Sequence, residues 1–101
     1  WGWCRQMGRD SREMPLIVES LKLWRGMNQR TGADTGFKQC GIAYMEADEK
    51  GLQQREAWAA KNARPFQINS RIVRGDELDK LVPGASSRFA GALYTDSDGR
   101  A

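Results

Sequence analysis

The segment from Glu13 to Thr31 carries the clearest periodic pattern in the chain. At about 100° per residue, its apolar side chains fall on one arc of about 160°, with charged and amide side chains opposite. An amphipathic helix must bury its apolar face, so the pattern predicts a helix packed against other elements. The apolar positions are Leu16, Ile17, Leu21, Leu23, Trp24 and Met27.

Local residues set the ends of this helix. Asp10 and Glu13 are spaced as in a capping box, and Pro15 falls in the first turn, where a missing N–H is tolerated. Gly32 suits the left-handed position that follows a helix end. We therefore predict a helix that begins near Glu13 and ends near Thr31.

The rest of the chain alternates between strand-like and helix-like segments. A largely buried strand is predicted over 37–46, with Gly41 marking a bulge or a close backbone approach. Asp48 is a good N-cap for a second helix, which ends at Arg64-Pro65 and has a thin apolar stripe that omits Trp58. A short strand at 71–73, a short helix from 75 to Pro83, a strand at 89–95 and a turn at 96–99 complete the chain.

This order of elements predicts an α+β fold. We expect a partial mixed sheet with flanking helices, apolar on at least one face, in which further strands are needed to complete the sheet.

Charge and cysteine content argue against several classes of protein. The 16 Lys and Arg residues and 13 Asp and Glu residues give a net charge of +3, but the signs are interleaved, which is typical of a solvated surface and not of a nucleic-acid interface. No apolar run approaches the roughly 18 residues that span a bilayer. With no His and two Cys, no Cys/His zinc site is expected, and a reduced, cytoplasmic protein is the simplest interpretation.

The opening segment 1–9 is the candidate site. It holds Trp1 and Trp3, two of the four tryptophans, with no initiator Met or signal-peptide pattern before them. We therefore expect an internal piece of a larger protein that covers these rings. Aromatic rings beside the guanidinium of Arg5 suit a flat cofactor ring or a carboxylate. The alternative is that the tryptophans are core anchors and the arginines are solvated.

The other reactive side chains favour structural roles. Cys40, Tyr44 and Met45 are predicted to be core residues of the 37–46 strand. Cys4 lies beside Arg5, which would favour a thiol of lowered pKa, but a redox role needs a base or second thiol that the sequence does not show. The acidic residues at the start of the short helix suit its positive end; they are Asp76, Glu77 and Asp79.

Taken in order, short motifs along the whole chain resemble the middle of FAD-dependent oxidoreductases of the D-amino acid oxidase superfamily, which includes D-amino acid dehydrogenases, glycine oxidases and sarcosine oxidases. Each motif is weak alone, and the specificity lies in their order and spacing. They are Gly2-x-x-Arg5, Glu13-x-Pro15-Leu16, Leu23-Trp24, Thr35-Gly36-Phe37, Gly41, Asp76-Glu77-Leu78, Val82-Pro83-Gly84, Gly91-Ala92-Leu93-Tyr94 and Asp98-Gly99.

The resemblance implies a two-part enzyme that binds FAD and oxidises a small amine or amino acid by hydride transfer to the flavin. Residues 1–32 would form the flavin-adjacent segment and a helix of the FAD-domain side, and 33–101 would form part of the substrate domain. The rest of the FAD enzyme would be the partner of this chain, with no nucleic acid and no membrane span.

The resemblance also assigns residues. It places Trp1, Trp3, Arg5 and Gln6 beside the cofactor and names no catalytic residue within the chain. Gly8 stands where sarcosine oxidases can carry a substrate-binding arginine, so sarcosine is not the expected substrate. A free-standing α+β binding module and a basic RNA-associated domain are the alternative functions.

Overall fold

A computed structural model describes residues 2–101. The helices are α1 (Met14–Arg25), α2 (Met27–Thr31), α3 (Glu49–Trp58) and α4 (Gly75–Leu81). The strands are β1 (Trp3–Cys4), β2 (Lys38–Gln39), β3 (Ile42–Glu46), β4 (Ser70–Val73), β5 (Gly91–Thr95) and β6 (Gly99–Arg100). The α+β class is therefore confirmed.

The strands form two antiparallel sheets of three strands each. The smaller sheet has the order β1-β6-β2 and joins both ends of the described chain to its middle. The larger sheet has the order β3-β5-β4, with Tyr44 opposite Leu93 and Ile72 opposite Leu93 on the other side. The two-residue strands β1 and β6 were not predicted, because their pairing joins segments almost one hundred residues apart and leaves no local pattern.

The larger sheet is covered on both faces, which explains the nearly continuous apolar sequence of its strands. One face packs Ile42 and Leu93 against α1, the segment after α3 and the opening segment, while the other packs Val73 and Ala92 against α4. Successive residues of a strand point to opposite faces, so β3 and β5 supply both cores. The buried residues of the first core are Met7, Met14, Ile42, Ala59, Ala63, Ile68 and Leu93.

The predicted first helix is present but broken. The chain leaves the helix at Gly26 and resumes as α2, which ends at Gly32 in the left-handed conformation, as predicted (φ 66°). The capping box is absent: the Asp10 carboxylate instead accepts the backbone N–H of Arg12, and Glu13 occupies the cap position without a side-chain bond.

The apolar face of α1 is only partly covered. Leu21 is buried and Ile17 is half-buried, but Leu16 is 73% exposed and Leu23 is 41% exposed. The described elements therefore cover one side of the predicted apolar arc and leave its other side exposed.

The predicted strand 37–46 is divided at Gly41. This residue has φ 76°, and a Cβ at this position would overlap the hydroxyl of Tyr94. The predicted close approach is confirmed. Gly41 lies between β2 and β3, which belong to different sheets.

The second helix begins where predicted and ends irregularly. The Asp48 carboxylate accepts the N–H of Gly51 at 2.8 Å, which confirms the N-cap. After α3 the chain widens into a π-helical turn over Ala59–Ala63 and a 3₁₀ turn over Arg64–Phe66. Trp58, the last residue of α3, packs against the first core, and its indole N–H donates to the carbonyl oxygen of Arg9 at 2.8 Å.

None of the helices in residues 2–101 combines the length and the apolar character needed to cross a membrane. The same residues contain no cluster of three or more metal-ligating side chains.

Candidate functional site

Trp3 lies at the meeting point of three clefts. Its side chain is 55% exposed, and it borders a first cleft of about 360 Å³, a second of about 330 Å³ and a third of about 220 Å³. Trp1, which sequence analysis assigned to the same site, lies outside the described residues. The position of Trp3 on β1 places it beside the β6 strand and gives it access to all three clefts.

The first cleft runs between α1 and the opening segment. It combines two aromatic rings, Trp3 and Trp24, with the guanidinium groups of Arg5 and Arg9. Trp24 is held by stacking on Phe37, with ring centroids 5.9 Å apart. Among the described residues that line this cleft, none has an acidic side chain. The cleft therefore offers flat apolar surfaces and positive charge.

Arg5 borders both the first and the third cleft. Its guanidinium lies over the ring of Tyr44, with Cζ 5.6 Å from the ring centroid, and Nη1 donates to the carbonyl oxygen of Met7. A guanidinium held in this way can present its remaining N–H groups to a carboxylate or another anion.

Gln6 points away from the clefts. It is buried, and its side-chain amide donates to the Asp98 carboxylate at 3.1 Å and to the Ser97 hydroxyl at 3.2 Å. Trp3 and Arg5 thus share the clefts, while Gln6 anchors the segment from behind. A direct contact of Gln6 with the cofactor stays a prediction.

Asp98 ties the opening segment to the last turn of the chain. Its fully buried carboxylate accepts the backbone N–H of Gln6 at 2.8 Å and that of Met7 at 3.1 Å. Burial raises the pKa of Asp98 above its ordinary value, and the N–H donors and the charge of Arg5 only partly oppose that rise. Sequence analysis assigned Asp98 only to a turn and missed this role.

The two cysteines differ from their predicted environments. Cys4 is buried, and burial, followed by the negative charge of Asp98, raises the pKa of its thiol, so the idea of a lowered pKa was wrong. Cys40 was predicted to lie in the core, but it is exposed and borders the second cleft, because Gly41 turns the chain before β3 begins.

Tyr44 has a mixed position that sequence analysis did not resolve. It packs against the first core, as predicted. Its ring also lines the third cleft and lies under the guanidinium of Arg5. Arg9 and Trp24 were likewise not assigned to the site. The nearness of Arg9 to Arg5 in sequence was an available indication, whereas Trp24 is brought to the cleft only by the packing of α1.

The sequence comparison now identifies the class of protein. The family described as FAD-dependent oxidoreductase (DAO) matches residues 1–101, and the chain belongs to this family. The resemblance to the D-amino acid oxidase superfamily is confirmed, and the family implies FAD as the cofactor.

Several solved structures with the same fold are of enzymes whose names refer to amino acids. The chain is similar to L-amino acid deaminase from Proteus myxofaciens in complex with anthranilate, with 31% identity and a TM-score of 0.84 over 98% of this chain and 23% of that one. L-amino acid deaminase from Proteus vulgaris gives 22% identity and a TM-score of 0.86 over 99% of this chain and 24% of that one. L-proline dehydrogenase from P. horikoshii gives 21% identity and a TM-score of 0.79 over 96% of this chain and 25% of that one.

The chain thus spans about a quarter of the length of the structures that it matches. A search among curated proteins gave no match.

The residues of the first cleft fit one part of a flavin. The isoalloxazine ring is flat and aromatic and gains negative charge on reduction, and Trp3 with Arg5 supplies an aromatic surface and a fixed positive charge. Among the described residues, Trp3 and Arg5 therefore have the chemistry to hold this part of FAD.

Proposed function

We propose that this chain contributes the flavin-facing segment and part of the substrate domain to an enzyme that oxidises an amino acid or a secondary amine. The observation that carries the proposal is the family match over residues 1–101, and the cleft lined by Trp3 and Arg5 supports it. Within this proposal, residues 1–32 belong to the cofactor side and 33–101 to the substrate side.

The names of the structural neighbours support an amino-acid substrate. Two are deaminases of L-amino acids and one is a dehydrogenase of L-proline, so each handles an amine beside a carboxylate. Arg5 is half-buried at the edge of two clefts and carries N–H groups suited to a carboxylate. We therefore propose that Arg5 binds an anionic group of the substrate or of the cofactor.

The residues of this chain bind and orient. FAD, when bound, accepts a hydride from the substrate carbon next to the amine. Trp3 shields one side of the clefts, Arg5 supplies positive charge, and Asp98 fixes the backbone directly after Arg5, at Gln6 and Met7. A preorganised positive charge is effective because it needs no rearrangement when negative charge develops.

The test is made on the full-length protein that contains this chain. Purified protein is denatured to release and quantify FAD, and a panel of L- and D-amino acids and N-methyl amines is tested for reduction of the bound flavin without oxygen. The variant Arg5→Ala is expected to raise KM by about 10- to 100-fold, because a charge-assisted hydrogen bond contributes about 1.5–3 kcal/mol.

Arg12→Ala is the matched control. The side chain of Arg12 is 90% exposed and pairs with Asp10 in a surface turn, so its loss should leave KM unchanged. A full-length protein that neither retains FAD nor reduces it with any of these substrates would contradict the proposal and favour a binding module without catalysis.

A further inference from the structure

Two arginines lie over the ring of a single tyrosine that lines the third cleft. The guanidinium carbon of Arg5 is 5.6 Å from the centroid of the Tyr44 ring, and that of Arg55 is 4.6 Å from it. The face of an aromatic ring attracts a cation, so Tyr44 stabilises both guanidinium groups. The cluster of Arg5, Tyr44 and Arg55 joins the opening segment to β3 and α3, both of which are distant from that segment in sequence.

The two arginines differ in their charge balance. Arg55 forms an ion pair with Glu46, with Nε 2.7 Å from Oε1. The ion pairs found among residues 2–101 include none that involves Arg5, whose Nη1 donates to a neutral carbonyl oxygen. Arg55 is therefore a compensated cation, and Arg5 is a cation with capacity for an incoming anion.

Gly8 leaves the space that the cluster needs. A Cβ on this residue would lie 2.9 Å from Cε2 of Tyr44 and 3.4 Å from Nη1 of Arg5, and its φ of 77° is one that other residues rarely adopt. The glycine lets the ring and the guanidinium meet at the edge of the third cleft, where both are lining residues.

The opening segment is also fixed on both sides of Arg5, because β1 before it pairs with β6 and residues 6–9 after it are hydrogen-bonded. Asp98 accepts the N–H groups of Gln6 and Met7, and Trp58 donates to the carbonyl oxygen of Arg9. With the backbone held, the remaining freedom of Arg5 lies in its side chain, which is restrained by the hydrogen bond to the Met7 carbonyl oxygen and by the ring of Tyr44.

We propose that Tyr44 is a positioning residue that holds the Arg5 guanidinium at the clefts so that it meets an anionic group there. The inference rests on the proposed function for the identity of the anion, which is the carboxylate of the substrate or the reduced cofactor. Tyr44 itself donates nothing to the anion, and it acts through Arg5.

The experiment compares Tyr44→Met with Phe89→Leu in the full-length, FAD-loaded protein. Methionine keeps apolar volume against the first core and removes the ring face, while Phe89 packs in the second core away from Arg5. Anthranilate is the carboxylate probe. Tyr44→Met is expected to raise its Kd, and the KM of the substrate, by about 3- to 30-fold, the range of a cation–π contact.

Further variants separate positioning from a general structural effect. Tyr44→Phe keeps the ring face and should restore Kd to within about twofold of the unmodified protein. In the background of Arg5→Ala, Tyr44→Met should add no further loss, because the group through which it acts is gone. If Tyr44→Met instead lowers the midpoint potential of the flavin and leaves Kd unchanged, the anion is the reduced cofactor.

A second measurement remains informative if a variant loses FAD or if the protein proves to have no activity. Modification of Arg5 by phenylglyoxal, followed by peptide mass mapping, should be faster in Tyr44→Met than in Phe89→Leu. Unchanged Kd, potential and modification rate, or equal changes in Phe89→Leu, would overturn the role of Tyr44. An unmodified protein that binds no FAD would overturn only the proposed function.

Discussion

Cys4 and Cys40 show how strongly the same side chain depends on its surroundings. Cys4 lies on β1, buried and near the negative charge of Asp98, and both burial and that charge raise the pKa of its thiol. Cys40 lies between β2 and β3, exposed at the second cleft. Since the thiolate is the reactive form, access and charge both disfavour reaction at Cys4.

We therefore predict that iodoacetamide at pH 7.5 modifies Cys40 at least about ten times faster than Cys4. Mass mapping of the two cysteine peptides over time measures both rates. Cys40→Ser should leave only the slow reaction. Equal rates would show that the opening segment leaves its place beside β6 often enough to expose Cys4.

At the same scale, sequence reasoning identified residue types better than it identified exposure. Trp3 and Arg5 were assigned to the site from their chemistry, and both line the clefts. Cys40 was misplaced because one glycine decides where β3 begins, and a shift of one residue in a strand exchanges buried and exposed faces. The anchoring of Gln6 by Asp98 spans 92 residues and has no local pattern.

Among the elements, the irregular end of the second helix carries the clearest conformational cost. Gln67 follows the 3₁₀ turn with φ 59°, the only residue other than glycine with positive φ in residues 2–101. The left-handed conformation costs a residue with a Cβ roughly 1–2 kcal/mol, and its N–H still bonds to the carbonyl of Arg64 at 2.9 Å.

Gln67→Gly is accordingly expected to stabilise the protein by up to about 1 kcal/mol, since relief of the left-handed cost exceeds the added freedom of glycine in the unfolded chain. The midpoint of urea unfolding measures the change. Gln54→Gly is the matched control, because Gln54 is exposed within α3 and the same substitution should cost about 1 kcal/mol there. Loss of stability in both variants would contradict the explanation.

Elements fixed by nearby residues were predictable, and those fixed by distant ones were not. Asp48 caps α3 and Gly32 ends α2 because the interactions involved lie within a few residues. The pairing of β1 with β6 depends on how remote segments pack. The exposure of Leu16 has the same origin, since periodicity defines an apolar face but not what covers it.

Across the whole molecule, Asp98 connects segments that are distant in sequence. Its carboxylate accepts from Gln6 and Met7, and its carbonyl oxygen accepts the N–H of Gly41 at 2.9 Å. The opening segment, the junction of β2 with β3 and the last turn thus meet at one residue. The Trp3 and Arg5 clefts depend on this junction because Arg5 directly precedes the tethered backbone.

Asp98→Asn should therefore destabilise the fold by about 1–3 kcal/mol at neutral pH, because the amide nitrogen presents a donor to one of the N–H groups that the carboxylate accepted. The pH dependence has a defined sign. The pKa of Asp98 is raised in the folded protein, so its contribution to stability is complete below the ordinary value of 3.8 and declines as pH rises through the raised pKa.

The difference in unfolding free energy between the two proteins should then be largest below pH 3.8 and should narrow above it, as measured by urea unfolding at a series of pH values. Groups that do not interact with Asp98 titrate equally in both proteins and cancel in the difference, and Cys4, whose pKa Asp98 raises, stays protonated over this pH range. If the difference in unfolding free energy instead grew with pH, the N–H donors would outweigh burial and the pKa of Asp98 would be lowered. In that case the anionic form of Asp98 would be the one that holds the opening segment in place.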